Sequence, residues 1–117
     1  MNAADKASRL DALLRGRGAF LAMKEHGVDR VPADLMRATF PFTREDLLEH
    51  LATSGTPLED FARSHGIVVE ENGYEVCLVE YDERFGPSRT KFPSLEAAHD
   101  WLRDFLLRHT YTGIDFK

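Results

Sequence analysis

The sequence predicts an α+β domain: N-terminal helices, a small antiparallel sheet of about three strands, and a C-terminal covering helix. Three observations carry this. Leucines recur at helical spacing through the first half. Asn72-Gly73 sits between β-rich runs, the strongest short signal for a hairpin. Ser94 then opens an amphipathic segment long enough for a helix.

The elements follow in order. Asp5 or Ser8 is the expected cap of a first helix running to about His26, with Leu10, Leu13, Leu14, Phe20 and Leu21 as its buried stripe. Arg15-Gly16-Arg17-Gly18 weakens that helix, because each interior glycine costs about 1 kcal/mol relative to alanine. A break is expected there. Gly27 is the stop. Pro32 is placed as the first residue of a short helical turn through Arg37, and Pro41 interrupts.

Thr43-Arg44-Glu45-Asp46 reads as a capping box, followed by Leu47, Leu48 and Leu51 on one face and Gly55 at the end. Thr56-Pro57-Leu58-Glu59 repeats the logic, with Thr56 as cap, Pro57 at the first helical position and Glu59 reaching back. Gly66 ends this helix.

Ile67, Val68 and Val69 begin a strand. Tyr74 to Tyr81 form the next one, with Tyr74, Val76 and Leu78 on one face and Glu75, Cys77, Val79 and Tyr81 on the other. Gly86-Pro87-Ser88 reads as a turn and Arg89–Phe92 as a third strand. Leu95, Ala98, Leu102, Phe105 and Leu106 form the buried stripe of the last helix, flanked by Trp101. The tail from Thr110 alternates at Ile114 and Phe116, which suits an edge strand.

The chain has 117 residues, the length of one domain. We read a single α+β domain, with residues 1–42 as an added helical region and residues 43–117 as the helix–sheet–helix core. One cysteine, Cys77, allows no internal disulfide. With no apolar leader segment at the start, a cytoplasmic setting is expected. The net charge of −5 is uneven: residues 1–31 carry +2, residues 32–64 −3, residues 65–86 −5 and residues 87–117 +1. The acidic middle disfavours a nucleic-acid partner, since phosphates require a basic footprint, and it suits a basic protein. No apolar run is long enough to span a bilayer.

The motifs of catalysis are missing. There is no G-x-G-x-x-G and no G-x-S-x-G. His26, His50, His65, His99 and His109 include no i,i+4 metal pair. Cys77, in an acidic strand, is read as a small buried hydrophobe and not as a thiolate nucleophile. We therefore expect no catalytic residues, no metal and no cofactor. A hydrolase or transferase built from His65, Cys77 or the carboxylates would need a pocket joining them. Helix, turn and helix from Thr43 to Gly66, then a hairpin, also outline a winged helix-turn-helix. Its second helix would present Glu59 and Asp60 to phosphates, with Arg63 the favourable charge.

From Thr43 to Leu107 the chain resembles the small immunity proteins of bacterial polymorphic and contact-dependent toxin systems. Three pieces carry the likeness: TREDLLEHLATSGTPLEDF, YEVCLVEYDERFG and KFPSLEAAHDWLRDFLL. The second piece is a strand ending in Tyr81, one residue, Glu83 and Arg84; here Phe85 stands before Gly86, where the family usually places the glycine directly. The resemblance implies a protein, monomer or homodimer, that binds one cognate toxin and blocks it, without catalysis or cofactor. An acidic interface suits a basic toxin such as a nuclease. We expect that interface at the sheet rim, on Glu70, Glu71, Glu75, Glu80, Asp82 and Glu83, with Tyr81 as aromatic anchor.

Overall fold

The computed structural model describes residues 1–73, 75–82, 84 and 86–109; of these, the side chains of Asp82 and His109 are outside the description. Its element order is α1 (Ala3–Leu14), α2 (Gly18–His26), α3 (Ala33–Thr39), α4 (Arg44–Thr53), α5 (Leu58–Ser64), β1 (Ile67–Asn72), β2 (Glu75–Asp82), β3 (Gly86–Phe92) and α6 (Leu95–His109). The fold class is α+β, as the sequence predicts. Contacts divide the chain into two compact units, Met1–Gly55 with Leu107 onward, and Thr56–Leu106. Helix α4, grouped with the sheet on sequence grounds, belongs to the first.

In the first unit the expected break falls at Arg15–Arg17. Gly16 ends α1 with φ 72°, a left-handed conformation that favours glycine. Gly18 then starts α2 where a Cβ would stand 2.9 Å from Leu13 Cδ2, so only glycine fits without a shift. The cap of α1 is Asn2, whose Oδ1 accepts from the Asp5 backbone N–H at 2.8 Å, and not Asp5 or Ser8. Gly27 closes α2 at φ 64°.

Because α2 is a separate helix, the buried stripe of α1 does not continue into it. Leu10, Leu13 and Leu14 are buried, but Phe20 is 70% exposed. Phe40, Phe42, Met36, Leu47, Ala22 and Leu107 are the other buried hydrophobics among the described residues of this unit. Thr43 Oγ1 accepts from the Asp46 N–H at 3.3 Å while Asp46 Oδ2 accepts from the Thr43 N–H at 2.9 Å, so the capping box is present.

The second unit is α5, the sheet and α6. Strand order is β1-β2-β3, antiparallel throughout. Ala62 of α5, Ile67, Val76, Leu78, and Ala98 and Leu102 of α6 form one buried cluster, with Leu58, Val69, Phe92, Leu95, Trp101 and Phe105 against its border. Ser94 caps α6, its Oγ accepting from the Ala97 N–H at 3.1 Å. Trp101 and Phe105, one turn apart, stack at 5.3 Å, and Phe92 lies 6.2 Å from Trp101.

Several boundaries differ from expectation, each for a local reason. Pro32 and Pro57 stand at the N-cap, one residue before the helix, with ψ of 162° and 143°. Helix α5 therefore starts at Leu58, and no side-chain cap forms. Glu59 falls at the second helical position, and its carboxylate accepts from His99 Nε2 at 3.0 Å. Asn72 is the last residue of β1, paired with Glu75, so the loop between them is Gly73 and residue 74; of these, Gly73 has φ 67°. Tyr74 itself lies outside the described residues.

Strand β3 begins at Gly86, not Arg89. Gly86-Pro87-Ser88 is strand, pairing with Asp82, Tyr81 and Glu80. Proline is tolerated there because β3 is an edge strand. Residues 110–117, read as a docking strand, lie outside the described residues. Val79 is fully buried although it alternates away from Val76 and Leu78, so the sheet is not open along the whole of its second face.

Candidate binding surface at the sheet rim

The pairing register decides which acidic residues stand together. Residues opposite one another share a face, and faces alternate along a strand. Ile67 pairs with Glu80, Val69 with Leu78 and Glu71 with Val76, so Glu71 and Glu80 lie on the face that carries the apolar cluster. Glu70 pairs with Cys77 and Asn72 with Glu75, so Glu70 and Glu75 lie on the other face, with Tyr81. The expected acidic rim is thus split between two faces.

It is also split along the strand. Glu70, Glu71 and Glu75 stand toward the β1–β2 hairpin, whereas Glu80 and Tyr81 stand toward the opposite end of β2. Five residues of extended chain between Glu75 and Glu80 span roughly 17 Å. Asp82 belongs to β2 and pairs with Gly86, but its side chain is not described, and Glu83 lies outside the described residues.

The hairpin end is largely neutralised by β3. Arg89 Nη2 is 3.6 Å from Glu70 Oε2, and Lys91 Nζ is 3.4 Å from Glu75 Oε1. These exposed pairs add little stability, about 0–1 kcal/mol each, but they remove net charge from that face. Cys77 lies in the same row, between Glu70 and Lys91, and is half-buried. The sequence placed it in the core; strand alternation puts it on the face opposite the main cluster.

The far end differs. Tyr81 is 58% exposed, and neighbouring Glu80 is exposed with no charged partner among the described residues. The Tyr81 backbone N–H donates to the Gly66 carbonyl at 3.1 Å, just before the first residue of β1. Gly66 has φ 76° where α5 passes into β1, so the glycine turn and the strand end are fixed together. An amphipathic aromatic is therefore presented on backbone hydrogen-bonded to the turn, with the Glu80 carboxylate on the opposite face; an exposed tyrosine of this kind suits a protein-binding anchor.

The groups proposed for a hydrolase are dispersed. His65 meets the ring edge of Phe105 on α6 at 5.7 Å, on the helix-covered side of the sheet, while Cys77 lies on the other side. Among the described residues no group of three or more His, Cys, Asp or Glu is placed to hold a metal ion. No helix among them is long and apolar enough to cross a membrane.

Two features of the first unit escaped the sequence reading. A groove of about 270 Å³ runs between α1 and α4, lined by Lys6, Asp46, Glu49 and His50 over Ala7 and Leu10. At its side His50 Nε2 donates to Asp11 Oδ1 at 2.7 Å, and Lys6 Nζ lies 3.2 Å from Asp46 Oδ1. These contacts tie α4 to α1. The second feature is the outward Phe20, whose signal was the glycine pair that separates α2 from α1. Comparison with protein-family models, with curated proteins and with solved structures returns no match to this chain.

Proposed function

We propose that this chain is a binding protein for a basic protein partner, acting as a cytoplasmic immunity protein acts on its toxin. The observation that carries the reading is exposed Tyr81 at the end of β2, in a unit of strongly acidic charge. Residues 56–106 hold eleven Asp and Glu against five Lys and Arg, a net charge of −6, while the remaining residues sum to +1. A potential of that sign steers a cationic partner and raises its association rate. The anchor would then supply the dissociation barrier, since a buried tyrosine at an interface centre commonly carries a disproportionate share of the binding free energy.

The DNA-binding alternative gains nothing from the geometry. Helix α5 has seven residues, and Glu59 and Asp60 occupy its first turn. That is unfavourable charge for a phosphate backbone.

The test is co-expression with the protein encoded immediately upstream, with a tag on one chain alone. A stoichiometric complex that loses most of its affinity on Tyr81→Ala or Glu80→Lys supports the reading. A complex indifferent to both changes moves the interface elsewhere, and no complex removes the main support for the immunity role.

A further inference from the structure

The two edges of the sheet are not alike. An edge strand exposes unpaired backbone groups, and proline and charged side chains, lysine above all, discourage another chain from pairing with it. Strand β3 carries Pro87, Arg89 and Lys91, all exposed. Strand β1 runs Ile67-Val68-Val69-Glu70-Glu71-Asn72, without proline or a cation. Its glutamates stand toward the hairpin, which leaves three β-branched apolar residues on the rest of the edge. Among the described residues its one strand neighbour is β2.

The register shows which backbone groups of β1 face outward. The Tyr81 N–H donates to the Gly66 carbonyl at 3.1 Å, and these two residues stand opposite each other, one step beyond the Ile67–Glu80 pair. Gly66–Tyr81 is thus a hydrogen-bonded pair, and such pairs alternate along an antiparallel ladder. Val68 and Glu70 turn their N–H and C=O toward β2. Ile67, Val69 and Glu71 turn theirs to the open edge, where no backbone bond from another element among the described residues meets them.

We infer that β1 pairs antiparallel with β1 of a second copy about a two-fold axis at Val68, joining two three-stranded sheets into one of six strands. Opposed residues share a face, so the axis falls on a residue, and three centres compete. Centred on Val68, Ile67 meets Val69 of the second copy, and the outward backbone groups of both exchange hydrogen bonds. Val68 meets Val68, Glu70 meets Gly66 and Glu71 meets His65. No carboxylate opposes another. Centred on Val69, the glutamates fall against Val68 and Ile67. Centred on Glu70, two carboxylates meet at the axis, which is destabilising. Strand β3 is the poorer partner for this edge. Pro87, opposite Tyr81, lacks an N–H at an outward position, and Arg89 and Lys91 already face Glu70 and Glu75 within the chain. Tyr81 lies in the central strand and not on this edge, so self-pairing stands apart from the partner binding proposed above.

Short strands bury little area, so the dimer is weak and a covalent trap reads it best. Single cysteines at Val68→Cys, Val69→Cys, Glu70→Cys and, on the other edge, Thr90→Cys are placed in full-length Cys77→Ser chains and held in a glutathione redox buffer. At the axis Val68 forms a non-hydrogen-bonded pair with itself, Cα atoms about 4.5 Å apart, within disulfide reach. Val68→Cys therefore forms a crosslinked dimer at least about tenfold faster than the other three. Adding Val69→Pro removes an outward N–H without touching the β1–β2 ladder and slows that crosslinking by about tenfold or more. Circular dichroism confirms that the variants fold. Fastest crosslinking at any of the other three positions, or equal rates at all four, overturns the inference. So does a Val68→Cys chain that stays uncrosslinked. If it then crosslinks once residues 110–117 are removed, the edge belongs to the chain's own C-terminal segment; if Val69→Pro instead abolishes the complex with the co-expressed upstream protein, the edge belongs to that partner.

Discussion

Arg9 and Glu25 are joined by a two-pronged ion pair, with Arg9 Nη2 at 2.6 Å from Glu25 Oε1 and Nη1 at 2.8 Å from Oε2. The same guanidinium reaches further. Nη1 donates to the Thr39 carbonyl at the end of α3 at 3.0 Å, and Nε donates to Asp5 Oδ2 at 3.2 Å. One side chain, 15% exposed, thus joins α1 to α2 and α3. The planar fork of arginine matches a carboxylate in two places while keeping a third direction free, a geometry lysine cannot supply.

Arg9→Met should accordingly cost about 1–3 kcal/mol, the range for losing charge-assisted hydrogen bonds and leaving a carbonyl without its donor. Arg9→Lys should recover less than half of that loss. Urea denaturation of the three proteins measures both. Equal stability of Arg9→Lys and the natural chain would show that a point charge suffices and that the fork is incidental.

Acid should unfold the first unit's contacts early. The Arg9 hydrogen bonds hold the Glu25 carboxyl below its usual range, and the Thr43 backbone N–H, aided by Lys6, does the same for Asp46. A carboxyl with a lower pKa in the folded chain than in the unfolded one stabilises the fold above its unfolded pKa, about 4. That contribution is lost as pH falls through the folded values. Stability of the natural chain should fall steeply from about pH 5 downward, and Glu25→Gln/Asp46→Asn should be less stable at neutral pH with a flatter acid limb. Parallel limbs for the two proteins would assign the acid response to other carboxylates.

Thr43→Ala removes the side-chain half of the capping box on α4. A loss of about 0.5–2 kcal/mol is expected. Thermal unfolding checks it, and an unchanged midpoint would mean that contacts of α4, such as His50 with Asp11, hold the helix without its cap.

Two phenylalanines give a direct contrast. Phe61 is fully buried, so Phe61→Ala should cost about 3–5 kcal/mol through lost burial and a cavity. Phe20→Ala should change folding stability by less than about 0.5 kcal/mol, since its ring is solvated. A large loss at Phe20 would mean that its ring is covered in solution within a single chain.

Local chemistry made much of this molecule legible in the sequence. The capping box at Thr43, the Ser94 cap, the glycine stop at Gly27 and the β-branched run at Ile67 depend on neighbours a few residues away, and they are found where read. The apolar stripe of α6 is also correct, because a continuous helix keeps its phase over four turns. What tertiary structure decided were the phases and pairings. Gly16 and Gly18 reset the rotation of α2, which sent Phe20 outward. Strand register, set by the loop at Gly73, divided the glutamates between two faces, and β3 supplied Arg89 and Lys91 to neutralise those near the hairpin. A carboxylate's charge is a property of its residue, but whether several form one surface depends on a register that changes face with a shift of one position.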